Sequence, residues 1–443
     1  MKIKLPQQVS YIIGELEKHG FEAYAVGGCV RDSILGRTPD DWDITTSAKP
    51  EQVKEIFAKT IDTGIEHGTV TVMMEKEGYE VTTYRIDGEY EDSRHPKEVV
   101  FTSNLVEDLK RRDFTINAMA YNEKSGLVDV FDGIGDINRK MIRCVGKAKE
   151  RFLEDALRIL RAVRFAAQLK FQIEEETKEA VKELAINLQN ISAERIQTEL
   201  VKLLISAEPE RIKEAYELGI TKIILPEFDA MMTCTQENIH HMYTVGEHTV
   251  RALTNVEGHK VLRLAILFHD VGKTETKTVD ENGIAHFYGH AEKSAQMAAK
   301  ILRRLKFDND TIAKVKKLIE LHDHRPPLTK AGVRRLAVQS GTELFEDLIK
   351  IKRADTLAQS EFQREEKLSY LDRILQLYQE IIREHECIRL KDMEINGKDL
   401  LSLGIPQGKN IGKILNELFE LVLEEPEKNR RGFLIEYVKE HYI

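Results

Sequence analysis

A chain of 443 residues, 42% hydrophobic and 32% charged, exceeds what one hydrophobic core holds and implies roughly two to four domains. Four widely spaced cysteines (Cys29, Cys144, Cys234, Cys387), none in a C-x-x-C pair, exclude a zinc ribbon and a disulfide framework and fit a reducing compartment. With no apolar run near the ~18 residues of a membrane span and no apolar core in MKIKLPQQV, a cytoplasmic location is expected, and the net charge of -9 favours a shaped partner over indiscriminate RNA binding.

Val9, Ile12, Ile13 and Leu16 space an amphipathic helix over 7–19. Tyr24-Ala25-Val26 reads as a short buried strand, broken by Gly27 and Gly28. Val30 to Leu35 reads as helix with Arg31 and Asp32 in its first turn, ended by Gly36. An extended piece then carries Asp41 and Asp43. Strand residues i and i+2 share a face, so both carboxylates can reach one pair of metal ions. Two Mg²⁺ ions about 3.5–4 Å apart can hold the attacking and leaving oxygens of a phosphoryl displacement. The Gly27-Gly28 turn exposes backbone N–H groups beside a helix N-terminus, an anion site, and Arg31 adds a fork-shaped donor. Phosphate cradle plus carboxylate pair points to transfer from a nucleoside triphosphate.

Ala48 to Ala58 reads as a short helix begun by Pro50. The alternating runs 68–73 and 79–84 read as a hairpin joined near Gly78, with Glu80, Thr82 and Tyr84 on one face. Residues 85–110 are polar and irregular, as functional loops are. RRDFTINAMAYN (111–122) and DVFDGIG (129–135) follow. From Ala148 to the 430s the chain reads as helical, with no strand pattern. The first long helix, FLEDALRILRAVRFAAQL, sets an apolar stripe (Leu153, Leu157, Leu160) against a polar face of Glu154, Asp155, Arg158, Arg161 and Arg164. Nine of the fourteen histidines fall between His240 and His324. His248, His269-Asp270, His290, His322 and Asp355 cluster at the ends of apolar helices, where unpaired burial is costly and metal ligation is the economical account.

GGCVRDSILGR and DDWDITT resemble the signature of the class II CCA-adding tRNA nucleotidyltransferases, which share a head and neck with bacterial poly(A) polymerases. The resemblance implies that Asp41 and Asp43 bind Mg²⁺, with Glu80 of the EVTTYR strand as a third acid. It implies that Gly27, Gly28 and Arg31 hold the triphosphate. RRDFTINAMAYN matches the second motif: Arg112 on phosphate, Asp113 accepting a ribose 2′-OH, Asn117 in support. EDALRILR resembles the protein template. Cytosine and adenine both present an amino donor beside a ring-nitrogen acceptor. Asp155 and Arg158 match that edge and not those of guanine and uracil, with Glu154 orienting Arg158. Arg161 and Arg164 extend the nucleotide-binding face. The His/Asp set resembles the HD-domain metal phosphohydrolases: His248, His269, Asp270 and Asp355 for one transition metal, His290 and His322 for a second.

The expected fold class is therefore α+β: a small mixed-sheet nucleotidyltransferase head over 1–145, then an all-α neck (146–230), HD domain (231–365) and tRNA-binding tail (366–443) whose Lys398, Lys409 and Lys413 suit phosphate contacts. The expected activity is CCA addition to tRNA from CTP and ATP, with no DNA or membrane partner. A-only or CC-only addition, poly(A) polymerisation, and an HD phosphohydrolase with an inert head are the alternatives. In the family resembled, enzymes that stop after CC lack much of the loop between the two motifs, so the full-length 85–110 loop, with Arg85, Asp87 and Arg94, implies addition that includes the terminal A.

Overall fold

The computed structural model describes residues 2–87, 99–237 and 243–443, so that Asp92, Arg94 and His240 lie outside the described residues. The chain forms two compact units, Met1–Asp229 and Ala230–Ile443. Among the described residues no helix is long and apolar enough to cross a membrane.

The first unit opens on α1 (Gln7–Lys18), which buries Val9, Ile12, Ile13 and Leu16 along one face. The sheet strands are β1 (Ala23–Val26), β2 (Ile44–Thr46), β3 (Thr60–Gly64), β4 (Thr69–Met74) and β5 (Glu77–Thr83). After a separate antiparallel pair, β6 (Arg85–Asp87) with β7 (Val99–Phe101), the sheet is completed by β8 (Met119–Asn122) and β9 (Gly126–Asp129). Its order is β3-β4-β5-β2-β1-β8-β9, and the β2–β5 pair is parallel while β1–β2 and β1–β8 are antiparallel. The mixed sheet of an α+β head is thus observed. Because Ile44 pairs with Val81, the residues one step earlier, Asp43 and Glu80, arrive side by side at one end of that pair.

The short helices α2 (Gly28–Ile34), α3 (Pro50–Ile56) and α4 (Leu105–Lys110) connect these strands. A further helix, α5 (Gly133–Arg139), starts in the DVFDGIG segment, where Asp129 accepts hydrogen bonds from the N–H groups of Gly133 (2.7 Å) and Ile134 (2.9 Å). The helical half of the unit contains α6 (Ala148–Glu154), α7 (Leu157–Leu169), α8 (Glu175–Leu184) and α9 (Ala193–Leu204).

Several local readings need correction. The hairpin turns at Glu75, in the left-handed region (φ 57°), while Gly78 lies inside β5 opposite Met73. A side chain at Gly78 would meet Thr71 Cγ2 at 2.7 Å, so the glycine answers to close packing, not to a turn. Strand β2 begins at Ile44, leaving Asp41 and Asp43 just ahead of it, although the Asp43 carbonyl still accepts from Val26 N at 3.0 Å. The single helix expected through FLEDALRILR is two. Asp155 is extended (φ -141°, ψ 103°), and its carboxylate accepts from Leu157 N at 3.1 Å, so it restarts the chain as a helix cap. A strand does exist beyond Ala148: β11 (Gln172–Ile173) pairs in parallel with β10 (Met141–Ile142), and two residues carry no alternation to read.

The second unit is helical. Its main elements are α13 (Val245–Thr254), α14 (Lys260–Phe268), α16 (His290–Arg304), α17 (Asn309–Leu321), α18 (Lys330–Ser340), α19 (Phe345–Ala358) and α20 (Arg364–Arg383), with the short α15 (Lys273–Thr276) between them; the short α10 (Ile212–Glu217) and α11 (Thr221–Ile224) close the first unit and α12 (Pro226–Thr233) leads into the second. The two-residue strands β12 (Thr278–Val279) and β13 (Ala285–His286) form a small hairpin ahead of α16. Every residue of α14 from Val261 to Phe268 is buried, the pattern of a helix packed on all sides. The last helices, α21 (Gly397–Ser402), α22 (Lys409–Glu424) and α23 (Arg431–Tyr442), share a core around Leu418, Val422, Leu434 and Val438; Lys398, Lys409 and Lys413 are exposed.

Candidate active site

In the first unit a cleft of about 610 Å³ gathers Gly27, Gly28, Arg31, Asp41, Asp43, Arg112, Asp113, Asn117, Arg161 and Arg164 from segments more than a hundred residues apart. Gly27 has φ 83° and ψ -129°, a conformation strained for any side chain, and a Cβ there would lie 3.1 Å from Arg112 Nη1. Its own N–H is spent on the Met119 carbonyl at 3.1 Å, so the turn offers fewer anion donors than its glycines suggest. Arg112 bonds Asp108 through Nη2 at 3.3 Å, while its buried Nε has no hydrogen-bond partner. An orphaned guanidinium donor at a cleft is suited to a phosphate oxygen.

Burial, and then the charges of Asp41 and Glu80, push the Asp43 carboxyl up to about 6 against the opposing pull of Arg112. Three carboxylates that repel one another at a sheet end fit divalent metal, whose charge would relieve that repulsion. Glu80 is exposed on β5 beside Asp43 and is outside the cleft lining.

Behind these acids runs one hydrogen-bonded chain of side chains. Arg31 grips Asp32 with two bonds (3.0 and 2.7 Å) and donates to Asn117 Oδ1 at 2.6 Å. Asn117 donates to Asp113 Oδ1 at 3.1 Å, and Arg161 donates to Asp113 Oδ2 at 2.8 Å. Arg164 donates to Glu199 of α9 at 2.7 Å and to Gln168 at 3.0 Å. Burial alone would push Asp113 up; the Arg161 and Arg158 charges and the Asn117 amide outweigh it and hold the carboxyl well below its usual range. The ring of Phe165 lies beneath three guanidiniums, with Arg164, Arg31 and Arg161 at 3.5, 5.1 and 5.2 Å from its centroid. Most donors of Arg31 are thus committed to protein partners, which makes it a positioning residue as much as a phosphate ligand.

Asp155 and Arg158 are not among the residues lining the cleft. Asp155 accepts from Arg195 at 2.7 Å. Arg158 donates to Glu154 at 2.6 Å, which is the orienting contact expected, and to the carbonyls of Arg151 (3.1 Å) and Arg111 (2.9 Å).

The second unit holds a distinct constellation. His269 and His322 follow the last turns of α14 and α17, His290 begins α16, and each donates Nδ1–H to the carbonyl three residues back, at 2.7, 2.7 and 3.0 Å. That bond turns each Nε2 inward, where it serves as a ligand atom once it carries no proton. Asp270 stands between two sets. On its Oδ2 side are His269 Nε2 at 3.3 Å and His248 Nε2 at 3.7 Å; on its Oδ1 side are His290 and His322 at 3.5 and 3.7 Å. Asp355 Oδ1 lies 2.8 Å from His248 and 3.5 Å from His269. Both groups are compact enough to hold a metal ion, and the buried Nε2 of His269 has no hydrogen-bond partner. Three inward nitrogens and a shared carboxylate fit borderline transition metals. Burial alone would push Asp270 up; His269 and Lys273 outweigh it and hold it well below the carboxylate range. Buried Lys352 donates to the carbonyls of His322 (2.7 Å) and His324 (2.6 Å), pinning the loop that carries the ligands. A cleft of about 510 Å³ opens onto this cluster, with Lys273, Arg325 and Lys367 in its walls.

Residues 23–143 match the family model for the poly A polymerase head domain. Residues 170–232 match that for a probable RNA and SrmB-binding site of polymerase A, and residues 276–438 a tRNA nucleotidyltransferase second-domain model. A CCA-adding enzyme of Lactobacillus johnsonii is 35% identical over 432 residues, 96% of this chain and 95% of that one. The chain belongs to the CCA-adding enzymes. A second family member, from Lactobacillus delbrueckii subsp. bulgaricus, is 54% identical over 216 residues, 48% of this chain, so the match spans about half (54%) of that relative's length. The crystal structure of the Bacillus stearothermophilus CCA-adding enzyme in complex with CTP superposes with a TM-score of 0.73 at 30% identity, covering 99% of each chain. The Thermotoga maritima CCA-adding enzyme complexed with tRNA, at 22% identity and a TM-score of 0.59 over 99% of this chain, shares the fold.

Within this family site, sequence reasoning missed the residues that act through others. Asp108, fully buried, bonds Arg111, Arg112 and Thr45, yet in LVEDLKRRD it looks like any acid on a charged helix. Phe165 reads as core, and Lys202 and Ser206, which line the cleft, carry no signal at all. Only Glu199 had one: a lone acid at a position where the apolar stripe of α9 should continue.

Proposed function

We propose that this chain adds CCA to the 3′ end of tRNA, using CTP and then ATP and releasing pyrophosphate. The observation that carries the reading is the Asp41–Asp43–Glu80 group set beside the Gly27 turn and the orphaned Arg112 donor. Asp41 and Asp43, with Glu80, would hold Mg²⁺, which when bound supplies charge neutralisation for the attacking and leaving oxygens. Arg112, whose guanidinium lines the cleft beside Gly27, binds a phosphate oxygen. Asp113, kept ionised by Arg161, accepts from a ribose 2′-OH in exchange for one of its present donors, and Asn117 with Arg31 holds Asp113 in place. Asp155 and Arg158 read the base edge, with Glu154 orienting Arg158 and Arg195 orienting Asp155. The finer division is a head (1–145), neck (146–230), metal domain (231–365) and tRNA-binding tail (366–443). The test is incubation of tRNA transcripts ending in the discriminator base, in C and in CC, with CTP or ATP, followed by 3′-end sequencing. Addition of A alone, or of CC alone, would replace the full reading by its split-pathway alternative.

A second reading rests on a separate observation, the inward Nε2 atoms converging on Asp270. The second unit is an HD-type phosphohydrolase centre, with His248, His269, Asp270 and Asp355 for one transition metal and Asp270, His290 and His322 for another. A metal held there would supply a nucleophile at neutral pH by lowering the pKa of its bound water. Water adds across one P–O bond of a 2′,3′-cyclic phosphate, leaving a 2′-phosphomonoester with a free 3′-OH; a second hydrolysis would release phosphate. Lys273, Arg325 and Lys367 bind the phosphoryl oxygens. Hydrolysis of 2′,3′-cyclic AMP and of simple phosphomonoesters, assayed with Ni²⁺, Mn²⁺, Co²⁺ and Mg²⁺, tests it; no turnover with any metal would make the cluster structural.

A further inference from the structure

The cleft over the His–Asp cluster is lined by more than cations and ligands. The β12–β13 hairpin delivers His286, Phe287 and Tyr288 to its wall, immediately before the ligand His290. Tyr288 is 79% exposed, so its ring is open to a ligand. Its ring lies parallel to that of His286, with centroids 5.5 Å apart and planes 4° from coincidence. His286 is held from behind by Asp280 at 3.0 Å, and Asp280 is itself fixed by the backbone N–H groups of Asn282 (2.9 Å) and Ile284 (3.0 Å). Phe287 is fixed in turn by Lys273, whose Nζ sits 5.3 Å from the ring centroid and 2.8 Å from Asp270. The outcome is a flat, braced, solvent-facing aromatic surface two residues, at most about 7 Å of chain, from a ligand of the second metal group.

A site for bare phosphate or small esters needs the cations alone. A braced aromatic face adds what a nucleobase requires: a π-surface, tolerant of base identity, in the wall of the same cleft as the His–Asp cluster. We infer that Tyr288, stacked on His286, is a nucleobase-binding subsite of the second-unit cleft, so that its ligand is a nucleoside-linked phosphoester. The ligand's phosphate lies toward Asp270, His290 and His322 and its base against Tyr288. The inference rests on the phosphohydrolase reading for the reaction, and on the hairpin alone for the base.

Two measurements on the full chain separate these. In the first, metal-stripped protein is photolabelled with 8-azidoadenosine 2′-monophosphate and the labelled peptides are mapped. Label is expected on the segment containing residues 278–290, reduced roughly 5-fold or more in Tyr288→Ala and retained in Tyr288→Trp. Label confined to peptides of the first unit overturns the subsite. In the second, metal-loaded protein is assayed on 2′,3′-cyclic AMP and on base-free glycerol 1,2-cyclic phosphate. Tyr288→Ala should raise KM for the nucleotide roughly 5-fold or more, leave its kcat near wild type, and leave the base-free substrate unchanged. An equal change on both substrates overturns the base role. Wild-type protein inert on both overturns the phosphohydrolase reading alone, and the photolabel then decides the subsite.

Discussion

At the scale of single residues, the head site is a set of carboxylates and guanidiniums, some exposed as Asp41 and Glu80 are and some buried as Asp113 and Arg31 are. Asp41→Asn or Asp43→Asn should abolish nucleotide addition while leaving thermal unfolding near wild type, because neither side chain packs a core; primer-extension gels and melting curves on the same samples check both halves. Gly27→Ala is a different lesion. It places a Cβ 3.1 Å from Arg112 at a φ of 83°, so a loss of about 1–3 kcal/mol in stability is expected together with loss of addition, read by denaturant unfolding and the same gels. For Asp155→Ala and Arg158→Ala the decisive number is base choice. Discrimination for CTP over UTP and ATP over GTP should fall, since half the base edge goes unread. Unchanged ratios with lower stability would make these side chains braces of the α6–α7 break through Arg195, Glu154 and the Arg111 carbonyl.

At the scale of elements, α7 and α9 are joined by the buried Arg164–Glu199 ion pair, and α4 is tied to β2 by the hydrogen bond from Thr45 to Asp108. Glu199→Ala would leave Arg164 buried with only Gln168 and the Phe165 face, and should cost about 3 kcal/mol by denaturant unfolding. Asp108 supplies a pH dependence. Burial would raise its carboxyl, but Arg112 and Arg111 prevail and hold it below its ordinary value. A carboxyl depressed in the folded state binds fewer protons there than in the unfolded chain. Its contribution is therefore complete above the unfolded value of about 3.9 and is lost as pH falls below it. Melting curves between pH 6 and 3 should show wild type losing stability toward acid, with the gap to Asp108→Asn narrowing over that range.

At the scale of the whole molecule, two candidate sites lie in two separately compact units, each built from its own side chains. They should be separable by mutation. His269→Ala with Asp270→Ala should eliminate hydrolysis of 2′,3′-cyclic AMP and leave CCA addition to an intact tRNA within about two-fold, measured on one preparation. Hydrolysis surviving in the double variant would assign it elsewhere. The pairing has a chemical rationale, since a 3′ end closed as a cyclic phosphate has no hydroxyl to extend until it is opened.

What the sequence determined by itself was everything carried by local pattern. The glycine–carboxylate stretch announces a turn with acids after it, the 3.6-residue stripe of α1 announces its buried face, and histidines at apolar helix ends announce paired burial. What only the tertiary structure decided was everything carried by distance along the chain. That Asp43 meets Glu80 follows from the parallel β2–β5 register, which no local pattern encodes. That Arg31 serves Asn117 and Asn117 serves Asp113 depends on the segment ahead of β8 returning beside α2, and that Phe165 seats Arg31 as well as its own helix neighbours Arg161 and Arg164 depends on α7 reaching Arg31. Even Asp155 shows the limit: its periodicity is helical, but a short acceptor side chain competes for the backbone, and with Arg195 of α9 on its far oxygen the break prevails over the helix.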